Sequence, residues 1–490
     1  MRTANGVAGL VIGGFALARL VLMATLGLGR DEAYTLVVSR RFALSYFDHP
    51  PLHQWLAHVS ALVFGETVLA RLPFIALFAL TGWLVFLLTR EMFSERAGLI
   101  ALFAINATPF FFASAGGWVV PDGPLLAALA AAALARLLFS QTERRETWVL
   151  WLAVGAAFGL AGLSKYSAAL TALGLVAFLC VSRQQRRWFV HPAPYAAALL
   201  ALAIVSPAIF WNAQNDWVSF RFQGGRGAPS GKLGFGPALG NLLAQIAYLT
   251  PWMFVGLAKG VAWARKAWKQ GDERGLFLVC LAAPPMVLFT LAPLWGPRGL
   301  PHWPMPGWFF LYPLLGAALV GRDLRRWAFA SVMFLGVVVA LVGAQAKFGL
   351  AQRLMGRDFA DPTLEAFDWG ELGRIYDNRA DFVVVSKWFD AGKIGVALGA
   401  KTPIFVASED PRGVAFLDDS ARFIGRDADV IVPGEKLKEA EDNLRPYFQS
   451  FEAPQFVALQ RGGRTAVELA IVRARGLTHA FAAPYRQGQP

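Results

Sequence analysis

The stretch that decides the fold reads G-R-D-E-A-Y-T-L-V-V-S-R-R-F-A-L-S-Y-F-D-H-P-P-L-H and occupies residues 29–53. It follows an apolar run over 6–28, long enough to cross a bilayer, for which roughly 20 residues suffice. Asp31, Glu32, Asp48 and His49 are packed into it more densely than ionisable groups are in the flanking apolar segments. A loop that merely joins two membrane helices needs no such cluster, so the stretch reads as the chemical centre of the chain. Pro50 and Pro51 fix φ and forbid a regular helix through them, which holds Asp48 and His49 in a rigid turn. Between the acids, residues 34–45 carry an apolar stripe suited to a helix lying along a membrane surface.

The rest of the chain explains why a membrane is the setting. Of 490 residues, 56% are hydrophobic and only 16% charged, where a soluble chain carries about a quarter charged. The apolar excess falls into runs near 6–28, 67–89, 97–115, 122–140, 148–164, 166–182, 193–211, 239–262, 275–293, 303–320 and 328–345, about eleven spans. The chain is therefore expected to be mainly α and polytopic. The first run lacks a small-residue cleavage signature and reads as a retained helix. The net charge of +13 does not mark a nucleic-acid binder, because the basic residues sit in short loops with no aromatic-interleaved patch. Cys180 and Cys280 each lie inside an apolar run and read as packing residues, not as a disulfide framework.

Orientation follows from the loops. Arg90 and Arg96, Arg144 and Arg145, Arg183 to Arg187, Arg265 to Arg274, and Arg322 to Arg326 all fall on the side that holds Arg2. The positive-inside rule makes that side cytoplasmic. The external side then receives residues 29–66, the 115–121 turn, Lys165, the loop 212–238, the turn 294–302 and everything after about 346. That tail, 346–490, is richer in charge and turn residues. Strand-like runs at 382–385, 403–407, 429–432, 455–459 and 466–472, with a helical stretch at 388–398, predict a small external α/β domain beside a membrane domain over 1–345. It carries no Gly-rich phosphate fingerprint, and reads either as a binding or positioning module or as a structural cap.

Further candidates lie on the external side. Asp122, between Pro121 and Gly123, is either a helix cap or a functional acid. Lys165, between two short spans, either snorkels to the interface or has a partner, since a lysine at membrane depth is expensive. The turn at 295–306 is stiffened by four prolines, and its Arg298 and His302 are donors suited to a phosphate. The glycine-rich loop 212–238, with Arg221 and Arg226, reads as a flexible lid or as a plain connector. No P-loop, G-x-S-x-G, H-E-x-x-H or C-x-x-C motif is visible.

Taken in order, the acid pair Asp31-Glu32, the turn Asp48-His49-Pro50-Pro51-Leu52, Pro121-Asp122-Gly123-Pro124-Leu125, the Lys165-Tyr166 junction and His302-Trp303-Pro304-Met305-Pro306 form a recognisable set. The set resembles the bacterial membrane glycosyltransferases of GT-C fold related to protein O-mannosyltransferases and to the aminoarabinose transferases of lipid A. The resemblance implies an inner-membrane enzyme with a periplasmic C-terminal domain. It would move a sugar, with inversion, from a polyprenyl-phosphate carrier to a lipid (lipid A among them), glycan or protein acceptor. It implies Asp31 as the base and Asp122 as a second catalytic acid. Glu32, Asp48, His49, Lys165, Arg298 and His302 would bind substrate, with Lys165 and Arg298 neutralising the lipid phosphate. Some relatives bring a metal near the acid matching Asp48, so a divalent metal there is the cofactor left open. His49 departs from the lysine of the aminoarabinose branch, which puts phosphate binding at that position in question. The rival reading is a transporter or lipid flippase; internal repeats and matched broken spans, which would favour it, are not evident in the sequence. A catalytically inactive binding homologue is the third.

Overall fold

The computed structural model describes residues 3–138, 144–227, 233–296, 299–355, 361–377, 380–482 and 485. Arg298 lies outside these. Every one of the eleven apolar runs coincides with helix, and the shortest pair, Arg144–Ser164 and Ala168–Val181, is interrupted at Lys165 as its sequence suggests. Among the described residues, six helices are long and apolar enough to cross a membrane, or up to eight if each bent pair is one span: Ala4–Thr25, Val68–Met92, Thr147–Ser164, Pro192–Gln214, Arg274–Trp295 and Arg325–Phe348 are the six.

Two expected spans differ from straight crossings. The run at 97–115 is broken into Glu95–Asn106 and Pro109–Gly117, bent by 77°, and that at 239–262 into Phe235–Leu249 and Pro251–Lys269, bent by 97°. In both a proline opens the second piece, where its missing N–H costs nothing but where its ring disfavours helix in the residue before it. Thr250 takes a positive φ of 75° at the sharper bend, an unusual conformation for a β-branched residue. The loop expected at 212–238 is also largely helical: Pro192–Gln214 runs into it, and Val218–Gly227 forms a helix of its own.

The chain folds as two compact units, one made of Met1–Leu20, His49–His53 and Pro73–Gly336, the other of Val21–Asp48, Gln54–Leu72 and Val337–Pro490. In the first, helix Arg144–Ser164 packs against both Asp122–Leu138 and Pro192–Gln214. Its Gly155 and Gly159 allow the close approach. A Cβ at Gly155 would stand 2.3 Å from the Ala197 carbonyl oxygen, and one at Gly159 would stand 2.7 Å from Ile204. Small residues at i and i+4 are how membrane helices gain contact where lipid offers no hydrophobic drive. Arg19, hidden in the first apolar run, is buried. It donates to the Phe112 carbonyl at 2.9 Å and to Asn106 Oδ1 at 3.0 Å, which ties the two pieces of the 77° bend.

The second unit is built on a six-stranded sheet of Phe382–Val385 (β1), Ile404–Val406 (β2), Ala428–Pro433 (β3), Phe448–Phe451 (β4), Gln455–Arg461 (β5) and Arg464–Leu477 (β6). The order is β2-β1-β3-β6-β4, with β1 parallel to β2 and β3, and with β5 also paired to β6. The long β6 runs antiparallel to β3 along one edge and pairs β4 and β5 end to end along the other. Gly462 and Gly463, both at positive φ, close the β5–β6 hairpin in the conformation such tight turns need.

Helix Arg30–Ser39 belongs to this unit, and the structure corrects the surface-helix reading: every residue from Glu32 to Ser39 is buried. Its apolar side packs against helix Trp388–Leu398. Gly392 makes the crossing possible, because a Cβ there would lie 2.5 Å from the Tyr34 backbone nitrogen. The stripe in the sequence was real; what covers it is protein.

Candidate active site

The candidate residues of the sequence that the structure describes fall into two clusters, one in each unit. In the second unit, Asp31 and Glu32 share the first turn of Arg30–Ser39 yet meet different surroundings. Glu32 is buried. Its Oε2 accepts from the Gly29 backbone N–H at 2.7 Å, a reach back that caps the helix start. Both its oxygens also accept from Arg71, at 2.7 and 2.6 Å. Arg71 in turn donates to the carbonyls of Leu26 and Gly27, which fixes the chain entering the helix. Asp31, one residue earlier, is exposed. The structure thus gives Glu32 an architectural place and leaves Asp31 the solvent-facing carboxylate of the pair.

Asp48 is buried, accepting from the Tyr34 hydroxyl and from Arg412 Nη1 at 3.4 Å. Loss of hydration pushes its carboxyl up to about 6; the Arg412 guanidinium and the Tyr34 hydrogen bond pull the other way, while Asp410 and Asp31 add to the rise. The Tyr34 hydroxyl also accepts from the Gly413 N–H at 2.8 Å. Its own proton is held more tightly than in a free phenol, first by burial and then by the Asp48 charge. Arg412 lies 4.0 Å from the centre of the Trp388 ring and contacts Asp410 at 3.3 Å. Nothing in the sequence signalled Arg412, which stands 364 residues from Asp48. Metal binding at Asp48 is not favoured by this arrangement: its carboxylate serves a guanidinium and a phenol, and among the described residues no group of three or more His, Cys, Asp or Glu is placed to hold an ion.

In the first unit, Asp122 opens helix Asp122–Leu138, and Lys165 sits in the break after helix Arg144–Ser164. The packing of these helices brings Lys165 Nζ to 3.0 Å from Asp122 Oδ1, with both side chains largely buried. The helix-cap and snorkelling readings thus give way to an ion pair. His49, His53 and His302 share its electrostatic neighbourhood. His49 is held well below the usual imidazole range by loss of hydration, then by His53, Lys165, Arg226 and His302. His53 is lowered to about 3 and His302 to about 4, in both cases chiefly by burial. Burial thus disfavours the charged form of all three rings. His49 stands 5.6 Å from His53, edge-on to it. Arg226, from the segment read as a loop, is 5.0 Å from the centre of the Trp303 ring, beside His302 in sequence. The cluster thus holds two cations, one carboxylate and three imidazoles, a set able to receive an anionic oxygen group and hydrogen-bond it.

The clusters lie in a mainly helical fold with several apolar helices and a small sheet unit, the fold class that the ordered motifs imply. Residues 48–211 match the family described as dolichyl-phosphate-mannose-protein mannosyltransferase. The undecaprenyl phosphate-alpha-4-amino-4-deoxy-L-arabinose arabinosyl transferase 2 of Proteus mirabilis (strain HI4320) is 27% identical over 330 residues, 63% of this chain and 56% of its own length. The chain thus spans little more than half of that relative. Crystal structures of ArnT from Cupriavidus metallidurans, bound to undecaprenyl phosphate and in the apo state, superpose with TM-scores of 0.65 and 0.63 at 16% identity. They cover 94% and 93% of this chain and 97% of each of theirs.

Proposed function

We propose that this protein is an inverting glycosyltransferase of a bacterial inner membrane that moves a sugar from a polyprenyl-phosphate carrier to an acceptor hydroxyl on the periplasmic side. The observation that carries the reading is the buried Lys165–Asp122 pair in the neighbourhood of His49, His53, His302 and Arg226. A cation fixed by a carboxylate stabilises the charge that grows on a departing lipid phosphate, and a preorganised donor set is where such catalysis gains most. The similarity to an arabinosyl transferase and to ArnT supports the same chemistry. Residues 346–490 form the periplasmic domain in this reading, and the acceptor is a lipid, a glycan or a protein.

In the proposed reaction the acceptor O–H gives its proton to Asp31 as its oxygen attacks the anomeric carbon. The bond from that carbon to the phosphate oxygen breaks, and the lipid phosphate leaves with the electron pair. Lys165, Arg226 and Arg298 take up the phosphate charge, and Asp122 orients Lys165. His49 and His302 act as neutral hydrogen-bond donors, not as cations. Asp48, held by Tyr34 and Arg412, keeps the segment that follows Asp31 in place.

The test is transfer from a panel of synthetic polyprenyl-phosphate sugars to envelope glycolipids and glycans by the purified protein in nanodiscs, with anomeric configuration read by NMR. An inverted product together with free polyprenyl phosphate supports the proposal. Passage of the carrier lipid across the bilayer with the sugar bond intact would support the flippase reading instead.

A further inference from the structure

The α/β unit holds a cavity of about 770 Å³ at a place where open α/β sheets bind ligands. From β1 the chain passes through helix Trp388–Leu398 to β2 on one side, then crosses back to β3 on the other, so the strand order is β2-β1-β3. Such a reversal opens a crevice beyond the carboxyl ends of the parallel strands. Here the crevice is lined by Trp388 and Phe389 following β1, by Glu409 and Asp410 following β2, and by Glu439 and Asn443 on helix Leu437–Leu444 following β3. Tyr447 and Phe481 complete the wall.

The lining tells what fits. Aromatic rings form much of the wall, which suits the flat faces of a ring. The polar groups are carboxylates, an amide, hydroxyls and the Lys387 ammonium, which accept from and donate singly to O–H groups. Their charges are locally balanced. Asp410 is held by Arg412 at 3.3 Å, Glu439 by Lys436 at 3.2 Å, and Lys387 shares the cavity with Glu409. A phosphate would meet three carboxylates, unlike in the Lys165 cluster, and a purely apolar chain would strand the acids without partners. The volume falls within the range of ordinary small-ligand sites.

We propose that this cavity is a saccharide-binding site for an uncharged, hydroxyl-rich glycan. Its wall is contiguous with the Asp48 network, because Asp410 contacts Arg412, Arg412 contacts Asp48 at 3.4 Å, and Trp388 lies under the same guanidinium. A sugar stacked on Trp388 or bonded to Asp410 is two side chains from Asp48. Taking that sugar to be part of the acceptor rests on the transferase function proposed above; the binding site itself does not.

The experiment uses the full chain in nanodiscs of neutral lipid, with no donor present. Saturation-transfer NMR is recorded with maltotetraose, cellotetraose and an N-acetylglucosamine tetramer as probes, and with glucose 6-phosphate as the anionic counterpart. Saturable binding of at least one neutral tetramer is expected, with glucose 6-phosphate bound at least tenfold more weakly. Glu409→Ala with Asn443→Ala, both at exposed positions, should weaken the tetramer at least tenfold while Arg426→Ala, outside the cavity, leaves it unchanged. Absence of saturable binding by all three tetramers at millimolar concentration overturns the proposal, as does binding indifferent to the double substitution. If the protein transfers sugar while the double variant keeps the wild-type KM for its acceptor, the cavity has no part in acceptor recognition and the transferase reading stands without it.

Discussion

Lys165 donates its ammonium to the Asp122 carboxylate across 3.0 Å, inside a unit whose helices are mainly apolar. Breaking such a pair leaves one buried charge uncompensated, which costs about 3–5 kcal/mol. Lys165→Met and Asp122→Asn are each expected to destabilise the protein by about that amount. The double variant should lose clearly less than the sum, because it strands no charge. Thermal and denaturant unfolding of the four proteins in one detergent measures this coupling.

Glu32 and Asp31 adjoin in sequence and part in role. Glu32→Gln keeps the shape but removes the charge that Arg71 needs, so a stability loss of about 3 kcal/mol or more is expected from the stranded guanidinium. Its unfolding midpoint, compared with that of Asp31→Asn, checks the difference. Asp31 is exposed, and its substitution should leave stability within about 0.5 kcal/mol.

Two groups of residues push stability in opposite directions with pH. Asp48 is raised from 3.8 to about 6. The folded chain keeps this proton where the unfolded chain has released it, so the contribution of Asp48 to stability falls as pH climbs through that window. His302 is lowered from 6.5 to about 4. The unfolded chain takes up a proton there first, so this contribution falls as pH drops from about 6.5 toward 4. Asp48→Asn should therefore gain relative stability on going from about pH 4 to pH 6, and His302→Gln should gain it in the reverse direction. Unfolding midpoints across that range, taken as differences from wild type, separate the two slopes.

Gly392→Ala tests the crossing that buries helix Arg30–Ser39. The added methyl would meet Tyr34 backbone atoms at 2.5 and 2.8 Å, neither of which can move without shifting the helix. Overpacking of this kind costs about 1–3 kcal/mol. Unfolding midpoints check it against Gly9→Ala, where an added Cβ would meet nothing within 4 Å.

The sequence exposed what depends on local pattern and hid what depends on distant chain. Apolar runs located the long helices of the membrane part, because length and composition decide what can sit in lipid, but not the shorter helices Leu52–Phe64 and Val218–Gly227. The two sharp bends were written as Thr108-Pro109 and Thr250-Pro251, signals passed over because hydropathy runs straight through them. Strands β1, β2, β3, β5 and β6 were legible as short β-branched and aromatic runs, while β4, a four-residue strand with two polar positions, was not. Asp122 and Lys165 were each singled out, yet their pairing needs two helices to pack and no spacing encodes it. Arg412 came from a segment with no chemical signature and Arg226 from one read only as a lid or connector, and only folding gives them Trp388 and Trp303 as neighbours. The amphipathic stripe of residues 34–45 fitted a membrane surface and a protein core equally well, since both are apolar.

The central claim is that Asp31 takes the acceptor's proton. Its most direct test is the transfer rate of wild type and Asp31→Asn, at saturating polyprenyl-phosphate sugar and acceptor, with binding of the carrier measured alongside. A positioned general base contributes about 10²–10⁴-fold, so the variant should retain carrier binding and fold stability while its kcat falls by that factor. Transfer by Asp31→Asn at the wild-type rate would contradict the assignment.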